Sequence, residues 1–207
     1  MDVSLLLTRY LVACLTLFAG HSLIATSQAD IVELYVTGAG GDGLLGTNVD
    51  PPATNPGSGG MGPMGITLDT DTNILMVQLL WGLDNGYDTM SGEVTKLHLH
   101  GPTADRAPNN FGQVNMNIIL NLGNSLNFDP SASAGGLDDS FFISNEEKNW
   151  ILSGRTYINV HTELNPMGEI RGYVLQSVPE PASALALLVL GVCGLARRRT
   201  SSTRQIG

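Results

Sequence analysis

The residues of this chain that could do chemistry are few, and most of them are histidines. In His98-Leu99-His100 the two imidazoles are two residues apart, a spacing that puts both on one face of a strand. A third, His161, ends the strand-like run Tyr157-Ile158-Asn159-Val160-His161. If the two strands are neighbours, three imidazoles converge, and Glu169 on the next strand adds a carboxylate. Imidazole suits Zn²⁺ and Cu²⁺, and two ligands from one strand with one from another is a workable set. His98, His100, His161 and Glu169 are therefore the candidate metal ligands. The other reading is a structural cluster. In it a histidine bonds backbone or Glu169, Arg171 pairs with Glu169 to pin the last hairpin, and Asn159 shares their face.

Other constellations are weaker. Asp69-x-Asp71-x-Asn73 has the oxygen spacing of a calcium loop, but the glycine and distal glutamate of such loops are missing. A hairpin turn is the expectation there. Ser144 and Ser153 lack a histidine or acid at any hydrolase spacing, and no glycine-rich phosphate loop runs from a strand into a helix. Trp81, Trp150 and Tyr157 are expected in the core rather than on a sugar-stacking platform. The net charge of -9 argues against nucleic acid, which needs a basic surface.

The elements that must position these side chains are β-strands. The chain of 207 residues holds 25 Gly and 10 Pro, which suits short strands and turns better than helices. Strands are expected at 31–36, 65–68, 74–81, 93–100, 113–122, 141–143, 155–161 and 169–175. Val94, Leu97 and Leu99 would face inward and the histidines outward, so that 93–100 is a half-buried strand. Residues 38–63 and 123–137 read as loops without packed elements. One short helix follows Ser144, with Glu147 as its capping-box partner, Trp150 and Ile151 on its buried face and Gly154 at its end. About eight strands separated by turns point to a mainly β fold, an antiparallel sandwich.

Both ends read as addresses. Residues 1–29 resemble an export signal: Arg9, an apolar run from Leu11, then Ser27-Gln28-Ala29 before a cut at Asp30. Residues 177–207 carry Pro179-Glu180-Pro181, an uncharged stretch from Ala182 to Ala196 and the cluster Arg197-Arg198-Arg199. Fifteen helical residues span about 22 Å, a short membrane helix whose arginines would stay in the cytoplasm. Between these ends, residues 30–176 hold 17 acidic and 5 basic side chains, a net charge of -12. Both cysteines, Cys14 and Cys193, fall outside that segment, so burial must stabilise it without a disulfide.

The tail resembles the PEP-CTERM sorting signal of bacteria: the Pro-Glu-Pro motif, the short apolar helix and the arginines stand in order. That resemblance implies an exosortase as partner and delivery to the cell surface or extracellular matrix. The middle segment resembles the CHRD domain. The likeness rests on His98-Leu99-His100-Gly101-Pro102, on Tyr157 to Thr162, and on Asn165-Pro166-Met167-Gly168-Glu169-Ile170-Arg171-Gly172. The family's usual Gln-Glu-Val-Pro-Pro stretch is replaced here by Asn48-Val49-Asp50-Pro51-Pro52. The resemblance implies an extracellular, immunoglobulin-like β-domain with no established catalysis. The His-x-His strand is also similar to that of copper-zinc superoxide dismutases, whose other ligands this chain lacks.

The expected function is thus a surface-targeted structural or binding module, without catalysis or cofactor. Its expected partners are an exosortase, extracellular polysaccharide or an envelope protein, and the membrane through the C-terminal helix. The alternative is a metal-binding protein or redox-type enzyme using zinc or copper at His98, His100 and His161.

Overall fold

The computed structural model describes residues 30–105, 107 and 116–177. The expected export signal, the Pro-Glu-Pro tail with its apolar helix, and residues 113–115 lie outside the described residues. Among the described residues, no helix is long and apolar enough to cross a membrane.

The fold is mainly β and antiparallel. Its strands are β1 (Ile31–Gly38), β2 (Gly41–Asp42), β3 (Leu44–Leu45), β4 (Ser58–Asp69), β5 (Ile74–Trp81), β6 (Val94–His100), β7 (Ile118–Asn121), β8 (Phe128–Asp129), β9 (Gly136–Phe142), β10 (Thr156–Thr162) and β11 (Ile170–Gln176). The single described α-helix, α1 (Asn145–Leu152), lies between β9 and β10.

The hydrogen-bonded order is β7-β6-β10-β11-β1-β4-β5-β9-β8, with β2 on β1 and β3 joining β11 to β4. The strands therefore form one continuous antiparallel sheet, where the sequence led to the expectation of an immunoglobulin-like sandwich. Its edge strands β7 and β8 are joined only by residues 122–127. Nine strands laid flat at ~4.8 Å would part those edges by roughly 38 Å, beyond the ~25 Å reach of so short a link. The sheet must therefore curl around its core. That core is the inner face: Leu97 and Leu99, Ile158 and Val160, Ile170 and Val174, Leu34 and Val36, Ile66 and Leu68, and Leu75 through Trp81 at alternate positions.

Two expected loops are wrong, and for the same reason. Residues 38–63 contain β2, β3 and the start of β4. Glycine and proline there mark close approach and a bulge rather than a loop. A Cβ on Gly59 would meet the Leu80 carbonyl at 2.7 Å, closer than any real side chain allows. The β4–β5 register shifts between Met61 and Ile66, around Pro63 and Gly65, whose φ is +68°. Likewise 123–137 contains β8 and the first residues of β9, which pairs with β5 from Gly136 to Phe142.

The helix forms as read. Ser144 Oγ accepts from the Glu147 N–H at 3.2 Å, and a Glu147 carboxylate oxygen accepts from the Ser144 N–H at 2.7 Å. Ile151 is fully buried, whereas Trp150 is only half-buried.

The strands that carry the histidines are buried on both faces. Every residue of β10 is buried, and so are residues 97–100 of β6. This corrects the expectation of a half-buried β6. A second apolar cluster of Ala107, Tyr157, Tyr173 and Leu175, with Tyr35 and Met116 against it, contains residues from the stretch after β6. Polar residues on that face are thus enclosed rather than solvated, apart from the exposed Lys96.

Candidate metal centre

Cross-strand register brings the histidines together. On β6 and β10, His98 stands opposite Asn159, His100 opposite Tyr157 and His161 opposite Lys96. On the next strand Arg171 stands opposite Asn159 and Tyr173 opposite Tyr157. Period-two alternation then puts Lys96, His98, His100, Tyr157, Asn159, His161, Glu169, Arg171 and Tyr173 on one face. Val94 joins the inner face because β6 has an extra residue opposite the step from His161 to Thr162.

The imidazole ring centres lie 5.5 Å apart for His98–His100, 5.1 Å for His98–His161 and 6.1 Å for His100–His161. One ligand nitrogen from each ring lies within 4.8 Å of the others. The three side chains are 5, 6 and 7 % exposed. Among the described residues this is the one convergent group of three or more histidine, cysteine or carboxylate side chains.

Hydrogen bonds fix two of the rings. His100 Nδ1 lies 2.7 Å from the Met116 carbonyl, and His161 Nδ1 lies 3.0 Å from the Pro166 carbonyl. A carbonyl only accepts, so each Nδ1 carries the proton and each neutral ring turns its Nε2 lone pair the other way. Those two Nε2 atoms and His98 Nδ1 are buried without a hydrogen-bond partner. Buried polar atoms are almost always paired, so three bare nitrogens in one place call for a reason. Second-sphere bonding of one imidazole nitrogen to a carbonyl is how metal-binding histidines are oriented.

Electrostatics keeps the rings neutral. Burial pushes His100 down to about 4, with His98 and Arg171 opposing its proton as well. Burial also pushes His161 down to about 4, against the Pro166 hydrogen bond. His98 is lowered by burial first and by Lys96 second. Near neutral pH the rings are thus unprotonated, as metal ligation requires.

The neighbouring groups make a rigid wall. Tyr157 stacks on His100 with centres 5.0 Å apart and planes at 1°. Its hydroxyl accepts from the Met116 N–H at 2.9 Å, in the same segment that orients His100. The Arg171 guanidinium, fully buried, sits 4.4 Å from the centre of the Tyr157 ring, a cation–π contact.

Glu169, expected among the ligands, is not part of the converging group. Its carboxylate accepts from the Gly57 and Ser91 N–H groups at 2.8 and 2.7 Å, from Thr162 Oγ1 at 2.5 Å, from Asn165 Nδ2 at 3.2 Å and from Ser91 Oγ. Burial alone would raise this carboxyl, but the hydrogen bonds from Ser91, Thr162 and Gly57 outweigh it and hold it below the usual range. The cage ties the 46–57 segment and Ser91 to the β10–β11 turn. Asn48 adds a second tie, donating from Nδ2 to the Arg171 carbonyl at 3.0 Å. Asn159 Nδ2 donates to the Met167 carbonyl at 3.2 Å and so braces the same turn. These partners were invisible in the sequence because the cage closes across 78 and 112 residues of chain.

The remaining candidates are structural. Asp69 Oδ1 accepts from the N–H groups of Asp71 and Thr72 at 2.9 and 3.0 Å, so that motif is a hairpin turn. Trp81 is fully buried and donates from Nε1 to the Ser131 carbonyl at 2.9 Å, so it offers no face to a sugar.

No curated protein matches the chain, and no solved structure does. The PEP-CTERM protein-sorting motif matches residues 177–199; such a motif is a sorting signal recognised by an exosortase and implies export. The CHRD domain model matches residues 43–174, well over half the chain and the whole of the histidine cluster, and the chain belongs to the CHRD domain family.

Proposed function

We propose that this protein is a metal-binding module delivered to the cell surface or extracellular matrix, in which His98, His100 and His161 hold one transition-metal ion. The observation that carries this reading is the convergence of three buried, neutral imidazoles, each with one nitrogen that has no hydrogen-bond partner. Tetrahedral ligands at 2.0–2.1 Å from zinc stand about 3.4 Å apart, so small turns of the rings close the present spacing. The ion supplies charge to a pocket of neutral donors. The chain supplies preset tautomers through Met116 and Pro166, a stacking wall in Tyr157, and exclusion of water by burial. Sorting through the tail by an exosortase, with anchoring by the short apolar helix, places the module outside the cell, within reach of polysaccharide and envelope proteins. Its role is binding rather than turnover.

The test is a metal titration of the purified protein with Zn²⁺, Cu²⁺ and, under argon, Cu⁺. One equivalent of at least one ion should bind and raise the melting temperature, because a ligand that prefers the folded state must stabilise it. His161→Ala and His161→Gln should both abolish binding while melting cooperatively. No binding of any of the three ions by folded protein overturns the proposal and leaves a purely structural cluster.

A further inference from the structure

We infer that the three-histidine centre is built for a monovalent ion, Cu⁺, in preference to Zn²⁺ or Cu²⁺. The inference rests on the reading of this centre as a metal site and adds the identity of its occupant. It follows from the charges that surround the three nitrogens. The ligands are neutral imidazoles, and no carboxylate belongs to the converging group. Lys96 stands in register with His161 and two residues from His98 on the same face. Arg171 is fully buried against the Tyr157 ring, which stacks on His100. The carboxylate on this face, Glu169, has its oxygens engaged by Gly57, Ser91, Thr162 and Asn165. Two cations, Lys96 and Arg171, therefore border the three imidazoles, and the carboxylate of this face stands outside the converging group.

A positive, buried site of neutral donors discriminates by ionic charge. The cost of moving an ion from water into a low-dielectric interior rises with the square of its charge, so a dication suffers about four times the penalty of a monocation. Its repulsion from Lys96 and Arg171 is twice as large. Zinc sites offset the first cost with thiolates, carboxylates or a bound water or hydroxide; the described residues here converge three neutral nitrogens and no anion. A filled-shell monocation is satisfied by three donors in a plane and needs no counter-charge from the protein. Imidazole is an accepted donor for copper.

The experiment compares affinities in the full chain. Cu⁺ is supplied anaerobically as its acetonitrile complex against a bicinchoninate competitor, and Zn²⁺ and Cu²⁺ against chromophoric chelators. Cu⁺ should bind at least 100-fold more tightly than Zn²⁺, with Cu²⁺ reduced in affinity alongside zinc. Lys96 is exposed, so Lys96→Glu tests the charge argument without threatening the fold. Reversing that charge should raise Zn²⁺ affinity and narrow the Cu⁺ to Zn²⁺ ratio by about fivefold. Equal affinity for Cu⁺ and Zn²⁺, or a ratio that Lys96→Glu leaves unchanged, overturns the inference while the metal-binding reading stands. Failure of all three ions to bind overturns both.

Discussion

His161 and Pro166 are bound to each other across a turn: Nδ1 of the ring meets the proline carbonyl at 3.0 Å. The bond makes the turn after β10 responsible for the tautomer of a strand residue. His100 is set in the same way by Met116, from the segment that leads into β7. These two histidines are thus oriented by backbone on their own side of the sheet order, while the meeting of all three rings is a matter of strand pairing.

Acid should destabilise the protein through these rings. In the folded state His100 and His161 take up a proton only near pH 4, against about 6.5 unfolded. Between those values the unfolded chain binds more protons, so stability present above pH 6.5 is lost as pH falls toward 4. Allowing for partial solvent screening, each ring accounts for roughly 2 kcal/mol of that loss. Melting temperature measured from pH 7 to pH 4.5 should fall, and the fall should be smaller in His161→Gln. A flat profile would contradict the burial of neutral rings.

Glu169→Gln separates ligand from cage. The amide brings N–H donors against Gly57, Ser91, Thr162 and Asn165, all of which already donate. Stability should drop by about 2 to 3 kcal/mol, as for loss of charge-assisted buried hydrogen bonds. Chemical denaturation measures this. The stoichiometry of bound metal should stay at one; its loss would make Glu169 a ligand after all.

Gly168 should tolerate no side chain. Its φ is +123°, and a Cβ there would stand 2.3 Å from Asn159 Oδ1. Gly168→Ala should cost about 2 kcal/mol or more, since strain and a clash add. Gly65→Ala is the control. Its φ is +68° with nothing within 4 Å of the added carbon, so only the ~1 kcal/mol of the left-handed conformation applies. Similar losses for the two variants would show that the clash at Asn159 relaxes freely.

Helix α1 depends on its cap. Ser144→Ala removes the acceptor for the Glu147 N–H and the reciprocal capping box. A loss of about 1 kcal/mol is expected, readable as a lower denaturation midpoint with an unchanged slope.

Removal of residues 178–207 should release the protein to the medium without changing its melting temperature. The sorting motif occupies 177–199, beyond the last strand, which ends at Gln176. Retention of the truncated protein at the cell surface would transfer the anchoring role to another part of the chain.

The sequence by itself determined the local features: His98 and His100 on one side of a strand, the capping box of α1, the turn at Asp69 and the C-terminal sorting motif. These depend on period-two alternation, on hydrogen bonds within a few residues and on composition, all written in adjacent positions. It also led to the family through motifs in and around β6, β10 and β11. Tertiary structure alone decided that the glycine-rich stretch after β1 is packed strand, because the packing of Gly59 against Leu80 is a contact between strands. It decided that both faces of β6 and β10 are enclosed, since the cover comes from other segments of chain. It also sent Glu169 into a cage rather than to the histidines, because its donors at Gly57 and Ser91 are remote in sequence and only the curl of the sheet brings them near.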